Sequence, residues 1–310
     1  MKADLRIGLV GLDTSHALAF LGLFNEAEAN EHVSGGRIVA AFKGGSPEIE
    51  ASRLRVDEFA QQAADIYGVK LYDNIEKLTH DVDAIMILSV DGRQHLEQFR
   101  QTLAGRKPVF IDKPLAGSLR DAVEIVQLAR NTQTPCFSSS SFRYLPDSPL
   151  PRLGTVGQIT AAFSYGPAER EPHHPDLFWY GIHSVEALYA ALGSGCQQVV
   201  RTISDHADVV TGLWANGCVG TLQGNRDSYK GHGITVIGTK GIITGGERHS
   251  YRPLAREIMQ FFRTGISPVP LDVTLEIHNF MEAAEESKRS SGMPVALADV
   301  LARAQQPLQG

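Results

Sequence analysis

The chain has 310 residues, of which 43% are hydrophobic and 21% are charged, and its formal net charge is −6. This length suits two domains, and the composition is ordinary for a soluble globular protein. The negative charge argues against nucleic acid or a membrane surface as a partner, and no apolar run is long enough for a signal-peptide core or a membrane span. The three cysteines lack paired short spacing, which favours reduced thiols and a cytoplasmic protein over a disulfide framework.

The first 140 residues alternate between strand-like and helix-like segments, which predicts a doubly wound parallel α/β sheet. The predicted strands are Leu5–Gly11, Arg37–Phe42, Val69–Tyr72, Asp83–Val90, Val109–Asp112 and Pro135–Ser140. The segment Ser15–Glu28 has apolar residues at helical spacing. The start Ser46–Glu48 predicts one helix that runs to about Tyr67, with Gly68 as its C-cap.

The pattern changes after about residue 142, where strands separated by turn residues follow one another. The predicted strands are Gln158–Tyr165, Gln198–Ser204, Asp208–Ala215, Cys218–Gly224, Gly233–Gly238 and Ile242–Thr244, and the predicted helices are Ile182–Leu192, Leu254–Thr264 and Val273–Arg289. The pair Asn216-Gly217 predicts a hairpin turn. We therefore predict a Rossmann domain over residues 1–141 and an α+β domain with a large, mostly antiparallel sheet over residues 142–310.

The sequence VGLDTSH follows the first strand, where dinucleotide-binding folds have a glycine-rich turn. Gly11 provides the first glycine, but Asp13 and Ser15 stand where further glycines are expected. A carboxylate about 4 Å from a phosphate would be repelled by about 4 kcal/mol at an effective dielectric constant near 20. We therefore expect Asp13 to cap the following helix and to leave Thr14, Ser15 and the free helix N–H groups for an anion. The alternative is that these residues form an N-cap and nothing more.

The second predicted strand ends at Phe42 and is followed by Lys43, without the acidic residue that usually holds the ribose diol of NAD. A lysine suits the 2′-phosphate of NADP, so the sequence favours NADP over NAD. The alternative is a solvated lysine in a glycine-rich loop.

Lys113 lies at the carboxyl end of a predicted strand, between Asp112 and Pro114. Ligands of open parallel sheets gather at such strand ends, and the proline restricts Lys113 to an extended conformation. An ammonium group there can hold a ribose and a substrate hydroxyl, and it favours the alkoxide that forms as hydride leaves. The alternative is a surface lysine.

His183 is the candidate general acid and base, because oxidation of a secondary alcohol needs a group that takes the hydroxyl proton. The sequence places His183 in the first turn of the helix Ile182–Leu192, where the helix dipole would keep the imidazole neutral. The alternative is a buried structural histidine.

The order of these motifs resembles that of the glucose–fructose oxidoreductase/inositol dehydrogenase/rhizopine-catabolism (Gfo/Idh/MocA) family. The resemblance rests on Val10-Gly11, Tyr67-Gly68-Val69, Asp83-Ala84-Ile85, His95-Leu96-Glu97, Gly105-Arg106-Lys107-Pro108-Val109, Asp112-Lys113-Pro114, Phe142-Arg143-Tyr144, Gly181-Ile182-His183 and Gly238-Thr239-Lys240-Gly241. Asp112-Lys113-Pro114 is the counterpart of the family's Glu-Lys-Pro signature. The resemblance implies a cofactor-binding domain followed by a substrate-binding domain whose sheet builds homo-oligomers.

The resemblance also implies catalytic roles for Lys113 and His183 and further contacts around them. For the cofactor these are Ser89, Asp91, His95 and Pro114, and for the substrate Arg143 and Tyr180. For His95 a capping or packing role is an equal alternative. The family usually has an aspartate four residues before the catalytic histidine, where this chain has Trp179. Glu186, one turn past His183, is a candidate substitute, and the alternative is a solvated glutamate.

The sequence therefore predicts an NAD(P)-dependent dehydrogenase or reductase that acts on a sugar-like or cyclitol-like small molecule. One alternative is an enzyme that retains its cofactor and uses a transient oxidation for elimination or hydrolysis. Another is a catalytically silent binding protein on the same scaffold. No metal site is expected, because His173-His174 in a proline-rich loop lacks the paired spacing of metal ligands.

Overall fold

A computed structural model describes residues 3–227 and 229–306. The described residues form two compact units, each built from three stretches of chain. The first unit draws on Met1–Gly117, Glu124–Ser139 and Tyr251–Leu271, and the second draws on Ser118–Val123, Ser140–Ser250 and Asp272–Gly310. The single boundary expected after residue 141 stays a prediction.

Ten α-helices lie within the described ranges. They are α1 (Ser15–Asn25), α2 (Glu50–Arg53), α3 (Val56–Asp65), α4 (Ile75–His80), α5 (His95–Thr102), α6 (Leu119–Asn131), α7 (Ile182–Leu192), α8 (Arg252–Thr264), α9 (Leu271–Arg289) and α10 (Leu297–Ala304). A π-helical turn, Leu177–Gly181, directly precedes α7. In the part of the chain that the structure describes, no helix is both long enough and apolar enough to cross a membrane.

The first unit contains a six-stranded parallel sheet with the strand order β3-β2-β1-β4-β5-β6. Its strands are β1 (Leu5–Val10), β2 (Gly36–Phe42), β3 (Lys70–Tyr72), β4 (Ala84–Ile87), β5 (Val109–Ile111) and β6 (Cys136–Ser138). This order is that of a Rossmann fold, in which the strand order reverses between β1 and β4 while all strands stay parallel, and ligands bind at the carboxyl ends of the strands. All residues of β4 and β5 are buried, as expected where helices cover both faces of a parallel sheet.

The helix predicted from Ser46 to about Tyr67 is wrong in its start and its continuity. The structure has two helices there, α2 and α3, and the first begins at Glu50. Ser46 does not cap a helix, because its hydroxyl donates to Asp91 and its N–H donates to the hydroxyl of Ser52. The tertiary partners of Ser46 therefore override its local preference for an N-cap.

The second unit contains a seven-stranded sheet with the order β12-β11-β7-β10-β9-β8-β13. Its strands are β7 (Ile159–Pro167), β8 (Cys196–Ile203), β9 (Ala207–Trp214), β10 (Val219–Asn225), β11 (Gly233–Gly238), β12 (Gly241–Gly245) and β13 (Val295–Ala296). Every pair is antiparallel except β7 with β10. The predicted hairpin at Asn216-Gly217 joins β9 to β10, and the predicted fold class is confirmed.

A buried group of charged side chains fixes the start of the helical segment that leads into α7. The guanidinium of Arg201 is fully buried, and it donates to Asp208, Glu285 and Asp176. Asp176 also accepts from Lys288 and directly precedes the π-helical turn. Because buried charges are stable only when they are paired, these ion pairs hold Asp176 in place.

Candidate functional site

The turn after β1 depends on Gly11. Its φ is +93°, and a Cβ built there would lie 2.4–2.6 Å from the backbone and hydroxyl of Ser89. A Cβ on Gly44, after β2, would lie 3.1 Å from the Cα of Gly11. The ends of β1, β2 and β4 thus come together without intervening side chains. A backbone cradle of this kind fits a pyrophosphate.

Asp13 is fully buried and turns into the protein. Its carboxylate accepts from the hydroxyl of Ser52 at 2.7 Å and from the N–H of Val90 at 3.1 Å. Burial raises the pKa of Asp13, although these hydrogen bonds and the charge of His95 oppose the shift. The carboxylate therefore stabilises the turn from within and has no exposed surface for a cofactor.

The residue that caps α1 is Thr14. The prediction that Asp13 caps this helix is wrong. The Thr14 side chain accepts from the N–H of His16, while Ser15 is exposed at the first position of the helix. Asp13 cannot serve as the cap because its carboxylate is already bound by Ser52 and Val90. The start of α1 thus carries no acidic side chain that faces outward, which suits an anion.

Lys43 forms an ion pair with Asp57 of α3, and both side chains are substantially exposed. The acidic group near the end of β2 therefore comes from a helix and not from the strand itself. Since an exposed ion pair contributes only about 0–1 kcal/mol, this pairing leaves Lys43 available to a phosphate.

The residues after β4 form a connected polar group. Asp91 accepts from the N–H and the guanidinium of Arg93, and it caps the turn before α5. The two ring nitrogens of His95 lie 2.9 Å from the carbonyl oxygen of Pro114 and 2.8 Å from that of Ser89. His95 thus links the end of β4 to the segment that carries Lys113, which is a packing role. Its cofactor contact stays a prediction.

Lys113 follows β5 and is half-buried. Burial lowers its pKa, and the neighbouring charge of Asp112 opposes this shift. Asp112 is itself bound by His16, with 2.5 Å between Oδ2 and Nδ1. Burial alone would raise the pKa of Asp112, but the charge and hydrogen bond of His16, together with the charge of Lys113, hold it below its usual value. A lowered pKa makes it easier for a lysine to give up and take back a proton, and shifted pKa values of this kind are typical of residues in active sites.

Sequence reasoning missed His16, although spacing alone could have drawn attention to it. The expectation that Ser15 occupies a glycine position is wrong, because in the pattern G-x-G-x-x-G that starts at Gly11 the third glycine falls on residue 16. Here the position holds a histidine that reaches Asp112 and packs its ring 4.7 Å from that of Tyr251. The third glycine is therefore replaced by a bridge from α1 to the end of β5.

His183 is buried in the second unit, and its Nδ1 lies 2.7 Å from the hydroxyl of Ser140. That hydroxyl also accepts from the N–H of Phe142, so the orientation of the imidazole is fixed by the loop after β6. His183 lies in the first turn of α7 as predicted, but the π-helical turn Leu177–Gly181 directly precedes this helix. The argument from a free helix terminus does not apply to His183.

Glu186 is not solvated. It is buried and binds the guanidinium of Arg143 at 2.8 Å and the N–H of Ser140 at 2.9 Å. A substrate that binds the guanidinium of Arg143 would therefore compete with Glu186 for it. The contact of Arg143 with substrate stays a prediction. Tyr180 is 37% exposed and presents its ring edge to His183, at 6.0 Å between ring centroids.

Three histidines surround the ring of Phe142. His232 stacks on it at 3.8 Å, and His183 and His249 lie at 4.7 and 5.3 Å between ring centroids. Burial, followed by the charge of His249, lowers the pKa of His232 to about 4. No pattern in the sequence predicted this cluster, because its members come from three distant segments.

Neither this cluster nor the loop with His173 and His174 has the arrangement of a metal centre. Among residues 3–227 and 229–306, no group of three or more histidine, cysteine or acidic side chains could hold a metal ion. The expectation of no metal site stays a prediction.

The profile of an oxidoreductase family with an NAD-binding Rossmann fold, GFO_IDH_MocA, matches residues 5–140. A curated relative is the uncharacterized protein YMR315W of Saccharomyces cerevisiae. It is 30% identical over 199 residues, which are 56% of this chain and 54% of the relative. The match thus spans about half the length of that relative.

Two solved structures share the fold over nearly their whole length. The apo scyllo-inositol dehydrogenase from Lactobacillus casei is 15% identical with a TM-score of 0.76, and the match covers 96% of this chain and 99% of that one. An oxidoreductase from Agrobacterium radiobacter in complex with NAD⁺, L-tartaric acid and magnesium is also 15% identical. Its TM-score is 0.75, with the same coverage.

Substitution of Gly11 tests the constraint at the first turn. We expect Gly11→Ala to lower the free energy of unfolding by about 3 kcal/mol and to abolish dinucleotide binding, because the methyl group combines a strained φ with a clash against Ser89. Gly68→Ala is the matched control, since Gly68 has a φ of +67° but no atom within 4 Å of a Cβ. We expect it to cost about 1 kcal/mol and to leave binding unchanged. Equal losses in urea denaturation would contradict this account.

The low pKa of His232 predicts an acid-sensitive contribution to stability. A histidine in an unfolded chain titrates near pH 6.5, so protons favour the unfolded state as the pH falls from 6.5 towards 4. The contribution is complete above about pH 6.5 and is lost at lower pH. Between pH 7 and pH 5 we expect the wild type to lose about 1–2 kcal/mol more than His232→Phe. Urea denaturation at both pH values measures the free energy of unfolding, and the exposed His206→Gln is the control. An equal loss between pH 7 and pH 5 in the wild type and in His232→Phe would contradict this prediction.

Proposed function

We propose that this chain, which belongs to the Gfo/Idh/MocA oxidoreductase family through its NAD-binding Rossmann domain, is an NAD(P)-dependent dehydrogenase or reductase. Its reaction transfers hydride between the nicotinamide and a secondary alcohol or ketone of a sugar-like or cyclitol-like molecule. The observation that carries this proposal is Lys113, a half-buried lysine at the carboxyl end of β5 with a lowered pKa. The inositol dehydrogenase fold of the Lactobacillus casei protein supports the choice of substrate class.

The residues of the first unit fit a dinucleotide. The backbone at Gly11 and Gly44 leaves space that a side chain would fill, and Asp13 directs its carboxylate into the protein. The start of α1, with Thr14 and Ser15, would hold the pyrophosphate. When bound, the nicotinamide supplies or accepts the hydride.

Two side chains then carry the proton and the charge. Lys113 orients the reacting oxygen and stabilises the negative charge that develops on it. His183 takes the hydroxyl proton during oxidation and returns it during reduction, while Ser140 fixes the orientation of its ring. Asp112, held by His16, balances the charge beside Lys113.

The face of the second sheet opposite to α7 supports assembly into a homo-oligomer. Leu213, Val219 and Ile237 are each more than one-third exposed on this face, and their strand neighbours there are uncharged. Exposed apolar residues that adjoin one another on a sheet are typical of a protein interface. The assembly stays a prediction.

The catalytic roles are tested on a substrate identified by screening polyols with NAD and NADP. We expect Lys113→Met and His183→Asn each to lower kcat/KM at least about 100-fold, because each removes a group that acts in the transition state. Dinucleotide affinity is expected to stay within about threefold for His183→Asn. Lys77→Met is the control, since Lys77 lies exposed on α4 and forms a surface ion pair with Asp73. Wild-type turnover in both variants would refute the mechanism.

The choice of cofactor is tested by fluorescence titration with NADPH and NADH. We expect Lys43→Ala to weaken NADPH binding about tenfold and to change NADH binding less than about twofold, because a charged hydrogen bond to the 2′-phosphate is lost. Asp57→Asn is the matched variant, which releases Lys43 and removes a like charge, so NADPH should bind more tightly. An equal effect of Lys43→Ala on both nucleotides would show that Lys43 does not contact the 2′-phosphate.

A further inference from the structure

We propose that Ser184 and His232 form a subsite that binds a hydroxyl group of the substrate next to His183. This inference rests on the proposed function and extends it to the part of the substrate beside the reacting carbon. Ser184 follows His183 in the first turn of α7, and His232 directly precedes β11. Together with Phe142 and Tyr165, these three residues line one cavity of the second unit.

Both side chains carry a buried polar atom that lacks a hydrogen-bond partner. Within the described ranges, Oγ of Ser184 and Nε2 of His232 are closed off from solvent and receive no hydrogen bond. A buried polar group without a partner destabilises a folded protein, so most such groups are satisfied. Two of them beside one another indicate a place that a polar ligand atom completes.

The two atoms border the same space. A Cβ built on Gly166 of β7 would lie 2.7 Å from Oγ of Ser184 and 3.0 Å from Nε2 of His232. Oγ of Ser184 and Nε2 of His232 are therefore no farther apart than about two hydrogen-bond lengths, so one oxygen atom between them can reach both. A single hydroxyl group can bridge them. A Cβ at position 166 would also lie 2.4 Å from Cδ2 of His232, so the close approach of this ring requires the glycine there.

Packing fixes the position and the charge of His232. Its ring stacks on Phe142 and presents an edge to His183, at 5.7 Å between ring centroids. His249 faces the same phenylalanine ring, and burial together with the electrostatic influence of His249 disfavours protonation of His232 and lowers its pKa to about 4. His232 is thus neutral near pH 7, and its Nε2 either donates or accepts one hydrogen bond according to the tautomer.

This combination selects the chemical class of the ligand. A hydroxyl group both donates and accepts, and it therefore matches a serine hydroxyl and a neutral imidazole in either tautomer. A carboxylate only accepts, and a neutral site offers it no compensating charge. We therefore infer a polyol that has a hydroxyl group adjacent to the carbon that is oxidised.

Thermal unfolding of two serine variants tests whether Ser184 lacks a structural partner. Ser164→Ala is the matched control, because the buried hydroxyl of Ser164 donates to the carbonyl of Ser184 at 2.8 Å. We expect Ser164→Ala to lower the Tm by several degrees and Ser184→Ala to leave it unchanged or raise it. An equal loss of Tm in both variants would show that Ser184 has a structural hydrogen bond, and the proposal would fail.

Histidine ¹⁵N NMR tests the subsite without any need for turnover. The Nε2 signal of His232 is identified by its loss in His232→Phe, and glycerol and then myo-inositol are added as hydroxyl probes. We expect each probe to shift this signal in the wild type, and we expect at least a fivefold weaker titration in Ser184→Ala. The absence of a shift with both probes, or an equal titration in Ser184→Ala, would overturn the subsite.

Kinetics with myo-inositol and a monodeoxy analogue separate this inference from the proposed function. We expect Ser184→Ala and His232→Phe to raise KM for the polyol about tenfold and to leave the dinucleotide Kd within about twofold of the wild-type value. For the analogue that lacks the adjacent hydroxyl group, we expect KM in both variants to stay close to the wild-type value. The conservative His232→Gln should retain most of the affinity. Wild-type KM values in all variants would overturn the subsite and leave the function standing. A wild type that oxidises no polyol would refute the function, while the NMR titration would still decide the subsite.

Discussion

The close approach of Gly11 to Ser89 is the contact on which the first unit depends. A side chain cannot fit between the turn after β1 and the end of β4, and the positive φ of Gly11 favours glycine for a second reason. Because the turn lies this close to β4, Asp13 can reach the N–H of Val90 from inside the protein.

A chain of polar contacts replaces the missing glycines as the support of this turn. Ser52 donates to Asp13 and accepts from the N–H of Ser46, whose hydroxyl in turn donates to Asp91. Each of these groups is buried and has a partner, so the connected set is stable where isolated members would not be. An acidic residue in a phosphate-binding turn is therefore compatible with anion binding here, because its charge is held inside.

In the second unit, buried polar contacts and ring packing likewise hold the functional side chains in place. Ser140 binds His183, and Glu186 binds both the backbone of Ser140 and the guanidinium of Arg143. Phe142 then provides the surface on which the imidazole of His232 stacks. The loop after β6 thus sets the orientation of His183, which α7 alone would not determine. Burial keeps His232 neutral and removes it from the set of charges that would favour an anionic ligand.

The sequence by itself determined the order and type of the elements. Alternating apolar segments in the first 140 residues, the turn pair Asn216-Gly217 and the helical spacing of Ile182–Leu192 are local signals. The structure confirms the elements that they predict, except for the single helix expected from Ser46 to about Tyr67. It also placed Gly11 and Lys113 at the ends of strands, because strand ends are recognisable from the chain alone.

Only the tertiary structure decided which side chains meet. Ser46 and Asp13 both have the local character of helix caps, yet their partners Asp91 and Ser52 are more than thirty residues away and draw them elsewhere. The bridge from His16 to Asp112 and the pairing of Glu186 with Arg143 likewise join separate segments. Hydrogen bonds and ion pairs between distant segments exist only after the chain has folded, since local periodicity specifies which face a residue occupies and not what it touches there.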